Sequence, residues 1–314
     1  MTYRVIQWAT GSIGKTCLRA VLDSPDCESV GLRVHSDRKV GEDAGAIARR
    51  RQTGAVGTTD VEEISALDAD VVIHTPRLQV PYEQFDDELC RLLRSGKNVI
   101  TTAGNHYPEP TANGRTAPFE QACADGQNSL FGVGVSPGVI GERIAMTLAS
   151  TSLELEAIDI TEVLEASGMV SPDFVFTVMG MGTDPAEVDL LAGPPPGLYR
   201  TLYSETLVYM ADHLGLTGYV IEDDHHFELA PADTTIRAGL IRAGTVAATD
   251  WRWHLRVDGV TRLTLAIIWT MDSTLPRYAG RPHWQIRMSG KAELSMSIDL
   301  HDPVDSDVRT TSTL

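Results

Sequence analysis

The feature that most constrains the fold of this chain is a short apolar strand that breaks into a tight turn and continues directly as a helix. Residues 4–9 predict the strand, and residues 13–23 carry apolar side chains at helical spacing. The turn between them reads Ala9-x-Gly11-x-x-Gly14, with alanine at the first glycine position of a dinucleotide-binding motif. Glycine lets the backbone approach a phosphate, and the helix N-terminus offers unpaired N–H groups.

We therefore expect a dinucleotide pyrophosphate to lie on this turn, and the alternative is an ordinary strand–turn–helix with glycines at the turn. The residues expected to contact the cofactor here are Thr10, Gly11, Ser12, Ile13 and Gly14.

Composition excludes several classes of partner. The 314 residues include 26 basic and 43 acidic side chains, and a net charge of −17 repels nucleic acid and anionic membranes. No stretch approaches the roughly 20 apolar residues of a membrane span. The four cysteines have no CxxC spacing and no HExxH pattern occurs, so we expect reduced thiols and no metal site. The N-terminus lacks a signal-peptide segment, which predicts a cytoplasmic protein.

The first half of the chain alternates between strands and helices. After the opening motif, helices are predicted at 83–95 and 117–126, and strands at 29–35, 71–75, 98–102 and 130–135. This alternation favours an α/β fold with a doubly wound parallel sheet. Residues 1–138 are therefore predicted to form a Rossmann-type dinucleotide-binding domain.

The second half changes to alternating apolar and polar residues, which is typical of strands with one solvated face. Asp258-Gly259 predicts a hairpin turn, a helix is expected near 203–214, and Gly193–Gly197 is expected to be a loop. Residues 139–314 are thus predicted to form an α+β substrate domain with a mostly antiparallel sheet. The strands are expected at 154–163, 219–229, 246–257, 260–271 and 283–300.

The loop after the second predicted strand bears on the choice of cofactor. An NAD site normally places an acidic side chain there for the ribose 2′-hydroxyl, but this chain has His35 and Ser36, followed by Arg38 and Lys39. A hydroxyl and two cations suit a 2′-phosphate, which favours NADP. NAD stays open because Asp37 would face the ribose if the loop turned differently, and an exposed loop without a ligand is the alternative.

Loops at the carboxyl ends of parallel strands line the ligand crevice of such a sheet. We expect His74, Thr75 and Thr102 to lie beside the nicotinamide ribose. Ser136 and Pro137 open a further predicted helix, whose N–H groups would face the nicotinamide carboxamide or a substrate. The alternative for His74 is a structural histidine with satisfied hydrogen bonds.

Candidate catalytic residues follow the strand at 98–102. His106 and Tyr107 are candidates to donate a proton, Asn105 to orient the substrate, and Glu109 to stabilise a cationic one. A reductase acting on C=O or C=N needs such groups beside its cofactor. The alternative is a polar loop bounded by prolines.

The chain resembles oxidoreductases that join a dihydrodipicolinate-reductase-type Rossmann domain to a separate substrate domain. Within them it is most similar to 2,4-diaminopentanoate dehydrogenase and the native amine dehydrogenases. The resemblance implies NAD(P)H-dependent reductive amination of ketones or aldehydes, or the reverse deamination, by a homodimer. It is carried by the segments Trp8–Gly14, Val34–Gly45, Lys97–Thr102, Gly134–Gly138 and Met179–Pro185.

Two departures from the amine dehydrogenases matter. Those enzymes carry a glutamate soon after the Thr-Thr strand end, whereas Gly104-Asn105-His106 has no carboxylate. They also continue past a strand like 293–299 into a further helix, so the polar ending 302–313 leads us to expect an incomplete C-terminus.

The sequence thus predicts hydride transfer to a C=O or C=N bond of a small, fairly apolar substrate. A true amine dehydrogenase using Glu109, Glu162 or Glu165 is one alternative, and a non-catalytic NADP-binding sensor is another.

Overall fold

The structure, a computed structural model, describes residues 1–77, 82–108, 116–272 and 274–299. Its contacts divide the chain into two units, of which the first comprises Met1–Gly138 and the second begins at Val139. Each unit is built around a sheet of its own.

The first unit contains a six-stranded sheet in the order β3-β2-β1-β4-β5-β6, and every pair of neighbouring strands is parallel. The direction of winding reverses between β1 and β4, which is where ligands bind in sheets of this kind. The predicted Rossmann-type doubly wound sheet is therefore confirmed. The strands are β1 Tyr3–Trp8, β2 Cys27–Arg33, β3 Gly57–Thr58, β4 Val71–His74, β5 Asn98–Thr101 and β6 Leu130–Gly132.

Helices cover both faces of this sheet, as an all-parallel sheet requires. Leu18 and Leu32 belong to one buried cluster, while Ile6 and Trp8 belong to another that packs against Leu89. The helices are α1 Ser12–Asp23, α2 Ala44–Ala48, α3 Val61–Ala66, α4 Asp86–Arg94 and α5 Thr116–Gly126, with 3-10 turns at Asp37–Lys39 and Tyr82–Phe85.

The second unit contains a seven-stranded sheet in the order β15-β14-β7-β13-β12-β8, with β9 also paired to β12. Only the β7–β13 pair is parallel within this sheet, so the predicted mostly antiparallel sheet is confirmed. The strands are β7 Leu155–Glu165, β8 Tyr219–Asp223, β9 His226–Leu229, β12 Val246–Val257, β13 Val260–Thr270, β14 Trp284–Gly290 and β15 Leu294–Ile298, and a separate hairpin is formed by β10 Thr234–Ile236 and β11 Gly239–Ile241.

The β12–β13 hairpin forms at the expected turn. Asp258 and Gly259 have φ angles of +50° and +77°, as a two-residue turn of the primed type requires. The remaining helices of this unit are α6 Met146–Ala149 and α7 Pro194–His213, with π-helical segments at Ile140–Ala145 and Asp173–Val178.

Four local predictions were wrong. The strands expected at 219–229 and 283–300 are each divided in two, into β8 and β9 and into β14 and β15. Gly193–Gly197 is not a loop, because α7 begins at Pro194 with Gly193 as its N-cap. Proline is tolerated in the first helical turn, where its missing N–H has no intrahelical partner to lose. The segment Ser136–Gly138 does not open a helix either, since Gly138 has a φ of +124° and the helical segment begins at Ile140.

In the described part of the chain, we find no helix that combines the length and the apolar character needed to cross a membrane.

Candidate functional site

The turn between β1 and α1 has the backbone geometry of a phosphate-binding turn. Ala9 has a φ of +73°, so alanine occupies a left-handed conformation that favours glycine. A Cβ on Gly14 would lie 2.3 Å from the Ala9 carbonyl oxygen and 2.8 Å from Thr75 Oγ1, so only glycine lets α1 approach β1 this closely. A Cβ on Gly11 would have no described atom within 4 Å, which leaves open space above the turn.

The N-terminus of α1 is available to an anion. Its N-cap, Gly11, has no side chain, no acidic residue lies in the described first turn, and Gly11, Ser12 and Ile13 are exposed. The first N–H groups of a helix have no intrahelical partner, and the helix dipole is positive at this end. The residues present therefore fit the pyrophosphate of a dinucleotide.

A buried glutamine supports the turn from below. The Gln7 side-chain amide donates to the Ala9 carbonyl oxygen at 3.0 Å and to Thr75 Oγ1 at 2.9 Å. Thr75 Oγ1 in turn donates to the Trp8 carbonyl oxygen at 2.9 Å. The sequence reasoning missed Gln7, although a polar residue inside an apolar strand was a usable signal.

Lys39 contacts this turn directly. Its Nζ donates to Thr10 Oγ1 at 2.8 Å and to the Thr10 carbonyl oxygen at 3.0 Å. Arg38 is exposed beside it, and Ser36 precedes their short 3-10 turn. Desolvation lowers the pKa of His35, and the positive charge of Arg33 lowers it further. The tertiary structure therefore brings a cation from the β2 loop to the glycine turn.

His74 has both ring nitrogens engaged in hydrogen bonds. Fully buried at the end of β4, it bonds Thr101 Oγ1 through Nδ1 and Glu88 Oε1 through Nε2, each at 2.9 Å. Burial lowers the pKa of His74, while Glu88 opposes that shift. This geometry favours the structural alternative for His74, which links β4 to β5 and α4 and thereby fixes the position of Thr75.

The loop at 104–107 packs closely against the end of β6 and the residues that follow it. A Cβ on Gly132 would lie 2.2 Å from the Asn105 carbonyl oxygen, and one on Gly134 would lie 3.1 Å from His106 Cε1. Asn105 is buried with a φ of +60°, and His106 and Tyr107 are partly exposed. Burial lowers the pKa of His106 to about 4, against a smaller opposing effect of a hydrogen bond with Gly132.

The remaining predicted residues of the first unit have different surroundings. Thr102 follows β5 and is partly exposed, its backbone N–H donating to the His74 carbonyl oxygen at 3.0 Å. Ser136 and Pro137 are buried in the turn after β6. Glu109 lies outside the described residues.

The second unit holds the two carboxylates named as substitutes for the missing glutamate. Glu162 is fully buried in β7, and Trp284 Nε1 donates to its Oε2 at 2.7 Å. Glu165 is exposed and accepts a hydrogen bond from the Ser167 backbone N–H at 3.0 Å. Only Glu162 is thus enclosed in the manner of a binding-site carboxylate.

Comparison with known proteins gives a relative in sequence. The chain is 25% identical over 311 residues to an amine dehydrogenase of Streptomyces virginiae, a match that covers 95% of this chain and 85% of that protein. No protein-family model matches the chain.

Solved structures show the same fold. An amine dehydrogenase from Mycobacterium smegmatis has a TM-score of 0.75 at 17% identity, over 95% of this chain and 86% of that one. A biliverdin reductase from Synechocystis sp. PCC 6803, solved with biliverdin and NADP+, has a TM-score of 0.53 at 11% identity, over 96% and 86%. The chain is thus similar in sequence and in fold to amine dehydrogenases, and it shares its fold with a biliverdin reductase solved with NADP+, which confirms the predicted resemblance.

Proposed function

We propose that this NAD(P)-dependent oxidoreductase transfers hydride to a C=O or C=N bond of a small, fairly apolar substrate, and that it prefers NADPH. The observation that carries the proposal is the β1–α1 turn, where open space above Gly11 adjoins an uncapped helix N-terminus and the Lys39 ammonium. Backbone N–H groups and a cation are what a dinucleotide's phosphates require.

In this proposal the backbone of Thr10–Gly14 binds the pyrophosphate. Lys39, Arg38 and Ser36 bind the 2′-phosphate, and a neutral His35 adds a hydrogen bond without charge. The residues proposed to lie beside the nicotinamide and its ribose are His74, Thr75, Thr102, Ser136 and Pro137. Among them, His74 acts indirectly, by fixing the position of Thr75. The bound cofactor supplies the hydride, and the protein supplies its orientation.

The proton donor is the second part of the mechanism. With a pKa of about 4, His106 is neutral at pH 7 and so donates a hydrogen bond rather than a proton. We therefore assign His106 to polarising the substrate oxygen or nitrogen, Tyr107 to proton donation and Asn105 to orienting the substrate. Glu109 keeps its proposed role of stabilising a cationic substrate.

Reductive amination is the second candidate. It is favoured by the similarity to the amine dehydrogenase of Streptomyces virginiae and by the buried carboxylate of Glu162. A carboxylate accepts a proton from ammonium as the asparagine at position 105 cannot. By analogy with the resembling enzymes, we propose a homodimer, which sedimentation of the purified protein tests. The cytoplasmic location predicted from the sequence stays a proposal.

NADPH oxidation with a panel of ketones and aldehydes, with and without ammonium, separates these functions. Consumption without ammonium supports carbonyl reduction, whereas consumption only with ammonium identifies an amine dehydrogenase. Tight NADPH binding with no consumption on any acceptor would leave only the sensor. If NADH bound as tightly as NADPH, the preference for NADPH would be wrong.

A further inference from the structure

One face of the sheet in the second unit, the face that packs against α7, is lined by aromatic rings. Tyr199 of α7 lies with its ring centroid 5.2 Å from that of Trp251 and 5.1 Å from that of Trp269. Tyr203, one helical turn later, lies 5.3 Å from Trp253. All five side chains are almost completely buried.

Strand register places a carboxylate in the same layer. Glu162 pairs with Trp284 on one side and with Ile267 on the other, and Ile267 pairs with Trp251. Directly paired residues of neighbouring strands point to the same face of a sheet. Glu162 therefore shares the α7 face with the aromatic side chains, and its negative charge adds to burial in raising the pKa of Tyr203.

Several polar atoms of this layer have no hydrogen-bond partner within the described residues. They are the Tyr203 hydroxyl and the indole Nε1 atoms of Trp251, Trp253 and Trp269. A buried polar group left unsatisfied destabilises the folded protein. Such groups are rare in native proteins, and a cluster of them marks a place for bound water or a polar ligand.

The groups in this layer define the chemistry of such a ligand. Tyrosine and tryptophan faces attract cations, and a phenol oxygen and a carboxylate both accept N–H donors. We propose that Glu162 and Tyr203, walled by Trp253 and Trp251, form a binding site for an ammonium ion or a small alkylammonium group. The indole N–H groups donate to water bound with the cation.

This site rests on reductive amination, the second candidate function, whose ammonium substrate it would bind. An ammonium ion is about the size of a water molecule, so it needs no more room than a single buried water. The carboxylate balances its charge in surroundings where an unpaired cation would be strongly disfavoured.

Binding is tested first without turnover. The tryptophan rings of the site make intrinsic fluorescence a direct readout, so the protein is titrated with methylammonium chloride and, in parallel, with sodium chloride. We expect a saturable change with methylammonium alone, weakened at least tenfold in Glu162→Gln and in Tyr203→Phe. Glu156→Gln, an exposed carboxylate of the same strand, is the matched control and should respond like wild type.

Kinetics then separate the site from the proposed function. In Glu162→Gln, the KM for ammonium should rise at least tenfold while the KM for the ketone stays within about twofold. A wild-type protein with no saturable methylammonium response overturns the site, even if the variants fail to fold. Methylammonium binding lost in Glu162→Gln, without any ammonium-dependent turnover of the wild type, supports the site and refutes reductive amination.

Discussion

The two glycines of the β1–α1 turn should respond in opposite ways to the same added methyl group. In Gly14→Ala, the new Cβ would lie 2.3 Å from the Ala9 carbonyl oxygen, and α1 would have to move by at least 0.7 Å to restore a 3.0 Å contact. It would also press on Thr75 Oγ1, which is held in place by Gln7. Overpacking of this kind costs about 1–3 kcal/mol.

At roughly 2–4 °C per kcal/mol, the first unfolding transition of Gly14→Ala should fall by several degrees. Gly11→Ala adds a methyl group where no described atom lies within 4 Å, at an ordinary φ of −70°, so it should unfold like wild type. It should nevertheless raise the Kd for NADPH at least tenfold, about 1.4 kcal/mol, because the methyl group occupies the space of the pyrophosphate.

Differential scanning calorimetry measures the first effect and fluorescence titration with NADPH the second. A Gly14→Ala protein as stable as wild type would show that α1 does not need this close approach. A Gly11→Ala protein with wild-type NADPH affinity would show that the pyrophosphate does not lie on this turn.

Further outcomes are expected for four variants. Lys39→Ala should raise the Kd for NADPH about 10–100-fold and leave the Kd for NADH nearly unchanged. An equal loss of affinity for both cofactors would mean that Lys39 only holds Thr10. Arg38→Ala should also raise the Kd for NADPH, and an unchanged NADPH affinity would contradict the role assigned to Arg38. The native state keeps the pKa of His106 at about 4, below its ordinary value of 6.5. As pH falls, the unfolded chain therefore binds a proton at His106 before the native state does, and the free energy of unfolding decreases below pH 6.5. Urea unfolding at pH 7 and pH 5 should therefore show His106→Asn losing roughly 2 kcal/mol less than wild type, and equal losses would refute the shift. Gly259→Ala, at a φ of +77°, should lower the free energy of unfolding by about 1–2 kcal/mol in the same assay, and no loss would contradict the turn geometry.

Local patterns were enough to predict the architecture. The alternation of strands and helices in the first half and the period-two strands in the second predicted both sheets, because side-chain periodicity follows directly from helix and strand geometry. The Asp258-Gly259 turn was also predictable from adjacent residues, because few residue pairs adopt two positive φ angles. The start of α7 was not, since prolines are typical of loops as well as of first helical turns.

Contacts between distant residues were beyond such patterns. The Lys39–Thr10 contact joins two loops, and no spacing in the sequence reveals that the lysine reaches the glycine turn. The low pKa of His106 likewise arises from burial, where the chain packs against Gly132 at the end of β6 and Gly134 after it.

The sequence by itself determined the strand–turn–helix at Ala9–Gly14, on which the proposed class of cofactor depends, because the geometry of such a turn is encoded in adjacent residues. Only the tertiary structure decided how the chemical groups around it are presented. It enclosed Glu162 among aromatic rings contributed by three strands and α7, because burial and strand register are set by the packing of the whole unit.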